Sequence, residues 1–191
     1  MATKNVNAEM NAEVNVTTPV VDVEPQVSTP LEGDNYKKII TQLVAGGAKK
    51  YNNLKIKNVN VLDADTYVRV SITIVPNVPA YINEERTESN VIFTSLFALV
   101  AVLKNNEEYA WMANILLERP NILPLILCGG TINILQREYE AGEDVPNPWS
   151  NRETEPRVYD HNVIVNDVID ITLGKAGIKM ADKLADKILG F

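Results

Sequence analysis

The first 32 residues limit the fold most, because they cannot supply a hydrophobic core of their own. They contain no aromatic residue, no glycine, one lysine and five acids, with valines set between Asn, Thr and Pro. So little bulky apolar surface does not offset the roughly 1–2 kcal/mol per residue that backbone ordering costs. We therefore predict an extended arm over residues 1–32 and a single α+β domain over residues 33–191.

The arm is predicted to become ordered on a partner. Pro19, Pro25 and Pro30 exclude a long helix or a central strand. An extended peptide of this kind binds another subunit or the edge of a sheet. The valines that we expect to make this contact are Val14, Val16, Val20, Val21, Val23 and Val27.

Charge and composition narrow the class of protein. The formal charge of −7 argues against a protein that coats DNA generally or that lies on a membrane surface. The longest apolar run, residues 91–103, is too short to span a bilayer, and the N-terminus lacks the apolar stretch of a signal peptide. Cys128 is the single cysteine, which excludes a disulfide framework within the chain. These features predict a cytosolic protein in a bacterial or viral setting.

The clearest local pattern predicts a β-hairpin between residues 54 and 75. Positions 68, 70, 72 and 74 are apolar and the positions between them are not, which is typical of a half-buried strand. Before it, Leu54 and Ile56 alternate with lysines, and the apolar phase shifts at Asn58 as a β-bulge requires. The turn is expected at residues 63–66, and a third strand near residues 78–82.

The remaining patterns predict helices. They cover residues 34–45, a buried central helix over residues 91–103, a helix up to Pro120, a helix over residues 122–140, and a last helix from Asp160. In the last helix, apolar residues recur at intervals of seven. Gly129 and Gly130 either allow close helix packing or kink the fourth helix, and Trp149 anchors the loop after it. The predicted fold class is α+β, with a β-hairpin or small antiparallel sheet packed on about five helices.

No residue pattern indicates catalysis. His161 is the only histidine, and its neighbours form no nucleophile motif, so we expect a structural role for it. Asp63 and Asp65 are spaced like calcium ligands but lack the glycine and the distal glutamate of a calcium loop. We predict that the protein is not an enzyme and that it holds neither a cofactor nor a metal.

One segment opposes the negative charge of the whole chain. No acid lies between Asp34 and Asp63, whereas lysines and tyrosines are frequent there and just beyond. Cations along a track, with aromatic side chains for stacking, are what binding of single-stranded nucleic acid needs. The alternative is a solvated face that docks on an acidic neighbour, such as the arm of another copy. The candidate nucleic-acid-binding residues are Lys37, Lys38, Lys49, Lys50, Tyr51, Lys55, Lys57, Tyr67 and Arg69.

Three short segments carry a resemblance to a known group of proteins. Residues 89–97, 147–151 and 159–164, together with the Asn- and Val-rich arm, resemble a small protein of crAss-like tailed bacteriophages. The likeness extends over most of residues 54–191. It implies a role in the virion or in phage replication, and it implies no catalytic residues.

The arm and this resemblance together predict a function. We expect a phage virion structural protein, associated with the capsid or head and made in the cytoplasm of the bacterial host. It would dock through its arm on other virion subunits or on copies of itself. The alternative is a single-stranded DNA-binding protein that uses the segment over residues 36–69. A third interpretation is an assembly chaperone or scaffold, which would be absent from mature particles.

Overall fold

A computed structural model describes residues 34–63, 68–149 and 155–190. The described part begins with helix α1 (Asp34–Ala45) and strands β1 (Lys49–Asp63), β2 (Val68–Ile82) and β3 (Glu85–Ser95). Helices α2 (Leu96–Lys104), α3 (Ala113–Glu118) and α4 (Leu123–Leu127) follow, with short 3-10 helices on both sides of α3. The chain continues through β4 (Thr131–Tyr139), β5 (Asp144–Val145), β6 (Arg157–Val158), β7 (Val163–Thr172) and α5 (Lys175–Leu189).

Five strands form one antiparallel sheet in the order β3-β2-β1-β4-β7, and β5 pairs with β6 in a separate ribbon. Strands β1 to β3 form a meander, and β4 returns to lie beside β1, which is a Greek key. The register shifts in four places: after Tyr51 and after Ile56 in β1, after Thr73 in β2, and after Asn133 in β4. Because bulges increase strand twist, the sheet curls until its two outer strands, β3 and β7, approach each other.

The hydrophobic core fills the inside of this curl. Ile72 of β2, Ile134 of β4, Leu99 of α2 and Leu116 of α3 are fully buried members of one apolar cluster. The helices between β3 and β4 therefore close one end of the curled sheet.

A second layer covers the outward face of β4 and β7. Tyr36 of α1 is buried, its hydroxyl donates a hydrogen bond to the backbone oxygen of Ile169 (2.9 Å), and its ring lies 5.3 Å from that of Trp149. Leu135 and Val145 are also buried but lie outside the main core cluster. Strand β4 thus has apolar neighbours on both of its faces.

The structure confirms the first helix and the β-hairpin. Strand β1 pairs with β2, and the register shift between Ile56 and Asn58 is the bulge that the sequence predicted. Residues 78–82 are extended, but they belong to β2 itself and pair with β3. Of the predicted turn, residues 64–66 lie outside the described part of the chain.

The predicted fold class is wrong, because the protein is built mainly of strands rather than of about five helices on a small sheet. The predicted central helix over residues 91–103 begins only at Leu96, and its first residues belong to β3. Ser95 is the residue that starts this helix, since its hydroxyl accepts a hydrogen bond from the amide of Ala98 (3.0 Å).

The predicted helix over residues 122–140 is also wrong, since it consists of α4 followed by β4. Gly129 and Gly130 neither allow two helices to pack closely nor kink a helix, which were the two alternatives from the sequence. They end α4 at a positive φ of Gly129 (+83°) and lead into β4. A Cβ atom on Gly130 would lie 2.3 Å from the backbone oxygen of Thr172, so glycine is required where β4 meets the end of β7.

The predicted last helix from Asp160 consists of β7 and α5. Over its first half, which is β7, the helical periodicity arises from an irregularity in the pairing of β7 with β4. Asn133 pairs with Asp170 and Ile134 with Val168, so that Ile169 is skipped. Val168 and Ile171 therefore both join the main core at a spacing of three, which imitates one face of a helix.

Candidate nucleic-acid interface

A cleft of about 770 Å³ separates the two outer strands of the sheet, β3 and β7, which do not pair with each other. Its walls are the end of the β2–β3 hairpin, the middle of β3, and residues 157–166, which lead into β7. This volume is within the range of small-molecule and cofactor sites, about 300–1,000 Å³. The cleft is therefore large enough to hold part of an extended polymer.

Arg69 and Phe93 form one wall of the cleft. Arg69 pairs with Ser95, and Ser71 pairs with Phe93, so these side chains project from the outward face of the sheet while Val70 points into the core. The guanidinium carbon of Arg69 lies 4.1 Å from the ring centroid of Phe93, a cation–π contact. Phe93 is nevertheless 47% exposed, which leaves part of its ring free for a ligand.

Arg157, Tyr159 and His161 form the opposite wall. Strand β5 holds this segment in place: Arg157 pairs with Val145, and the amide of Gly142 donates to the backbone oxygen of Tyr159 (2.8 Å). The rings of Tyr159 and His161 meet edge to face at 5.7 Å. The carboxylate of Asp160 lies 2.7 Å from Nδ1 of His161, and this hydrogen bond lowers the pKa of Asp160.

Polar bonds tie the β2–β3 hairpin to β4. The carboxylate of Glu138 accepts hydrogen bonds from the Tyr81 hydroxyl (2.9 Å) and from Nε of Arg86 (3.0 Å). The bond from Arg86 is the main reason why the pKa of Glu138 is lowered. Nearby, the side-chain amide of Gln136 donates to Pro79 (2.9 Å) and to Asn166 on β7 (2.8 Å). These contacts hold the two sides of the curl together at this end of the cleft.

A buried ion pair fixes the segment that follows β5, residues 146–149. Arg137 and Asp167 are 7% and 9% exposed and form two hydrogen bonds, of 2.7 and 3.2 Å. Arg137 also donates to the backbone oxygen of Pro146 (2.9 Å), and the indole of Trp149 donates to Asp167 (3.0 Å). The prediction that Trp149 anchors this connection is confirmed for its described part, residues 142–149.

The cleft differs in charge from the whole chain. It is lined by two arginines, Arg69 and Arg157, and by three aromatic side chains in addition to His161. Glu84 is the one acid among the described lining residues. Arginines thus outnumber acids in the described lining of the cleft, on a protein whose formal charge is −7.

Arg69 is the candidate predicted from the sequence that lines this cleft. The structure does not bring the other described candidates together in one place, because they are spread over α1 and along β1. Lys37 and Lys38 lie on α1. Lys49, Lys50 and Tyr51 lie where β1 pairs with β4, and Lys55 and Lys57 lie further along β1. Each of these lysines is exposed and, within the described residues, forms no ion pair. The candidates outside the described residues are Tyr67 and the arm valines Val14, Val16, Val20, Val21, Val23 and Val27.

The sequence did not indicate Phe93, Arg157, Tyr159 or His161 as site residues. Phe93 was assigned to a buried helix, whereas the alternation of Val91 and Phe93 with a buried Ile92 is the signal of a strand with an exposed aromatic residue. Within the described residues, no three His, Cys, Asp or Glu side chains lie close enough to hold a metal ion.

Comparisons with protein-family models, with curated proteins and with solved structures found no significant match. Among the described helices, none is long and apolar enough to cross a membrane. The function is therefore inferred from the geometry and chemistry of the cleft.

Proposed function

We propose that this protein binds single-stranded nucleic acid in the cleft between β3 and β7. The observation that carries the proposal is the contact of Arg69 with Phe93, which faces Arg157 and Tyr159 across a cleft whose described lining contains a single acid. Proteins that bind single strands combine cations that follow the phosphates with aromatic rings on which bases stack. Because every base has a flat face, such a site tolerates many sequences.

The connectivity of the sheet supports this proposal. Its strand order, with helices between the third and fourth long strands, corresponds to that of the OB-fold, a five-stranded, partly open Greek-key barrel. OB-folds bind oligonucleotides on their second and third strands and on the loops after the first and fourth strands. Here Arg69 and Phe93 lie on β2 and β3, and Arg157 and Tyr159 lie in the connection from β4 to β7. This is an analogy of fold, to which the side chains of the cleft add the chemistry.

Each side chain has a role in this proposal. Phe93 stacks on a base, while Arg69 holds the ring and contacts a neighbouring phosphate. Tyr159 offers a second stacking surface, and Arg157 a second phosphate contact. The outward face next to Phe93 carries no acid on its nine paired positions, which are Asn58, Asn60, Leu62, Arg69, Ser71, Thr73, Val91, Phe93 and Ser95.

The test is binding of the purified full-length protein to a fluorescent oligothymidylate of about 20 nucleotides, measured by anisotropy over a series of salt concentrations. We expect affinity that falls steeply as salt rises. The double variant Arg69→Glu, Arg157→Glu should lose most of the binding. The matched control Lys37→Glu, Lys38→Glu makes the same change of charge on α1 and should retain most of it. Absent binding by the natural chain, or equal losses in both variants, would refute the proposal.

A second candidate function is that of a virion structural protein of a tailed phage. The observation that favours it is that β3 and β7 both have a free edge within the described part of the chain, and a free edge accepts a strand from a neighbouring subunit. Deletion of residues 2–30 should then leave the domain folded but prevent its incorporation into particles. Normal incorporation of the shortened chain would exclude this role for the arm.

A further inference from the structure

We propose that the N-terminal arm, residues 1–32, occupies the cleft of its own chain when nucleic acid is absent, and that a single strand displaces it. The arm would thereby regulate binding by competition. This inference rests on the proposed nucleic-acid function of the cleft.

The arm joins the domain close to the cleft. Helix α1 starts at Asp34, and Tyr36 is fixed by its hydrogen bond to Ile169 on β7. The cleft-lining residues 163–166 of the same strand are three to six residues from Ile169, which is about 10–20 Å at about 3.3 Å per residue. A fully extended segment of ten residues spans about 33 Å. The arm is therefore long enough to reach the cleft and to continue along it.

The chemistry of the arm complements that of the cleft. The arm carries five acids and one lysine, whereas the described lining of the cleft has two arginines and one acid. The pairs Val14/Val16 and Val21/Val23 alternate with polar residues, a pattern that suits an extended strand. The free edges of β3 and β7 offer backbone groups to such a strand. Phosphates and the carboxylates of the arm would compete for the same arginines.

Tethering favours the arm of the same chain over that of a second copy. A short flexible linker gives an effective concentration on the order of 1 mM, well above a micromolar protein concentration. If the arm alone bound the cleft with a dissociation constant of about 0.1 mM, it would weaken nucleic-acid binding about tenfold. The size of this effect should not depend on protein concentration.

The test compares two full-length variants in the anisotropy assay at low salt. The first replaces all five arm acids with their amides: Glu9→Gln, Glu13→Gln, Asp22→Asn, Glu24→Gln and Glu32→Gln. The control removes the same number of negative charges at exposed positions outside the cleft: Glu107→Gln, Glu108→Gln, Glu118→Gln, Asp182→Asn and Asp186→Asn. We expect about tenfold tighter binding by the arm variant and a change of less than about twofold in the control.

A second readout follows the arm directly. Limited proteolysis of the natural chain should cleave the arm, residues 1–32, faster when oligothymidylate is bound, because the arm has been displaced. If the natural chain binds the oligonucleotide but the arm variant behaves like the control, this inference fails while the proposed function stands. An affinity gain that varies with protein concentration would assign the cleft to the arm of another copy and overturn the inference. Absent binding by every chain would overturn both.

Discussion

Replacement of Phe93 with alanine removes an exposed stacking surface of the cleft at little cost to the fold. Phe93 is 47% exposed and lies outside the core cluster, so the free energy of unfolding should change little. Stacking of a base on an aromatic ring contributes about 1–3 kcal/mol. At about 1.4 kcal/mol for each factor of ten, this corresponds to about 5- to 140-fold weaker binding. No phosphate contact is lost directly, so the dependence of affinity on salt should keep its slope.

The assay is anisotropy with the labelled oligothymidylate, combined with thermal unfolding of each variant. Trp111→Ala is the matched control, because Trp111 is an aromatic residue of similar exposure (41%) outside the cleft. Phe93→Trp should retain binding, since it keeps an aromatic face. A loss of less than about twofold for Phe93→Ala, or an equal loss for Trp111→Ala, would refute the assignment of Phe93.

Three further changes test other parts of the site. Arg157→Gln should weaken oligothymidylate binding and reduce the slope of log affinity against log salt by about 0.7, the value for one phosphate contact on a single strand; an unchanged slope would exclude that contact. Arg137→Met should cost about 3–5 kcal/mol in urea unfolding, because it leaves the carboxylate of Asp167 buried without its partner; a loss of less than 1 kcal/mol would contradict the anchoring role of this ion pair. Glu138→Gln should lower the melting temperature at pH 7 but leave it unchanged at pH 2. The folded-state pKa of Glu138 lies below the ordinary 4.5, so Arg86 stabilises the fold fully above pH 4.5, and this stabilisation is lost as the pH falls through the folded-state pKa. A difference between the two proteins that persists at pH 2 would contradict this linkage.

The β1–β2 hairpin could be predicted because one face of each strand is buried and the other is exposed. Strand β4 lacks this contrast: Ile134 and Leu135 are neighbours in the chain, lie on opposite faces, and are both fully buried. The second layer, which includes Tyr36 of α1, lies on the outward face of β4 and β7, and this contact spans more than 130 residues. A continuous apolar run of this kind does not distinguish a strand from a helix.

The candidate site was predictable only in part. The excess of lysines and tyrosines directed attention to residues 36–69, and Arg69 within it does line the cleft. Its partners Phe93 and Arg157 are 24 and 88 residues further along the chain, and three register shifts in β1 and β2 accompany the curling that brings the walls together. Local sequence patterns do not reveal how far a bulged sheet curls, so they could not predict this cleft.

The most direct test of the central claim is photo-crosslinking of the full-length protein to an oligonucleotide that carries 5-iodouracil, with the crosslinked residues mapped by mass spectrometry. The proposal predicts crosslinks at aromatic residues of the cleft, Phe93 and Tyr159 foremost, and their loss when salt abolishes binding. Crosslinks confined to Tyr51 and its neighbours at the start of β1, or to α1, would contradict it.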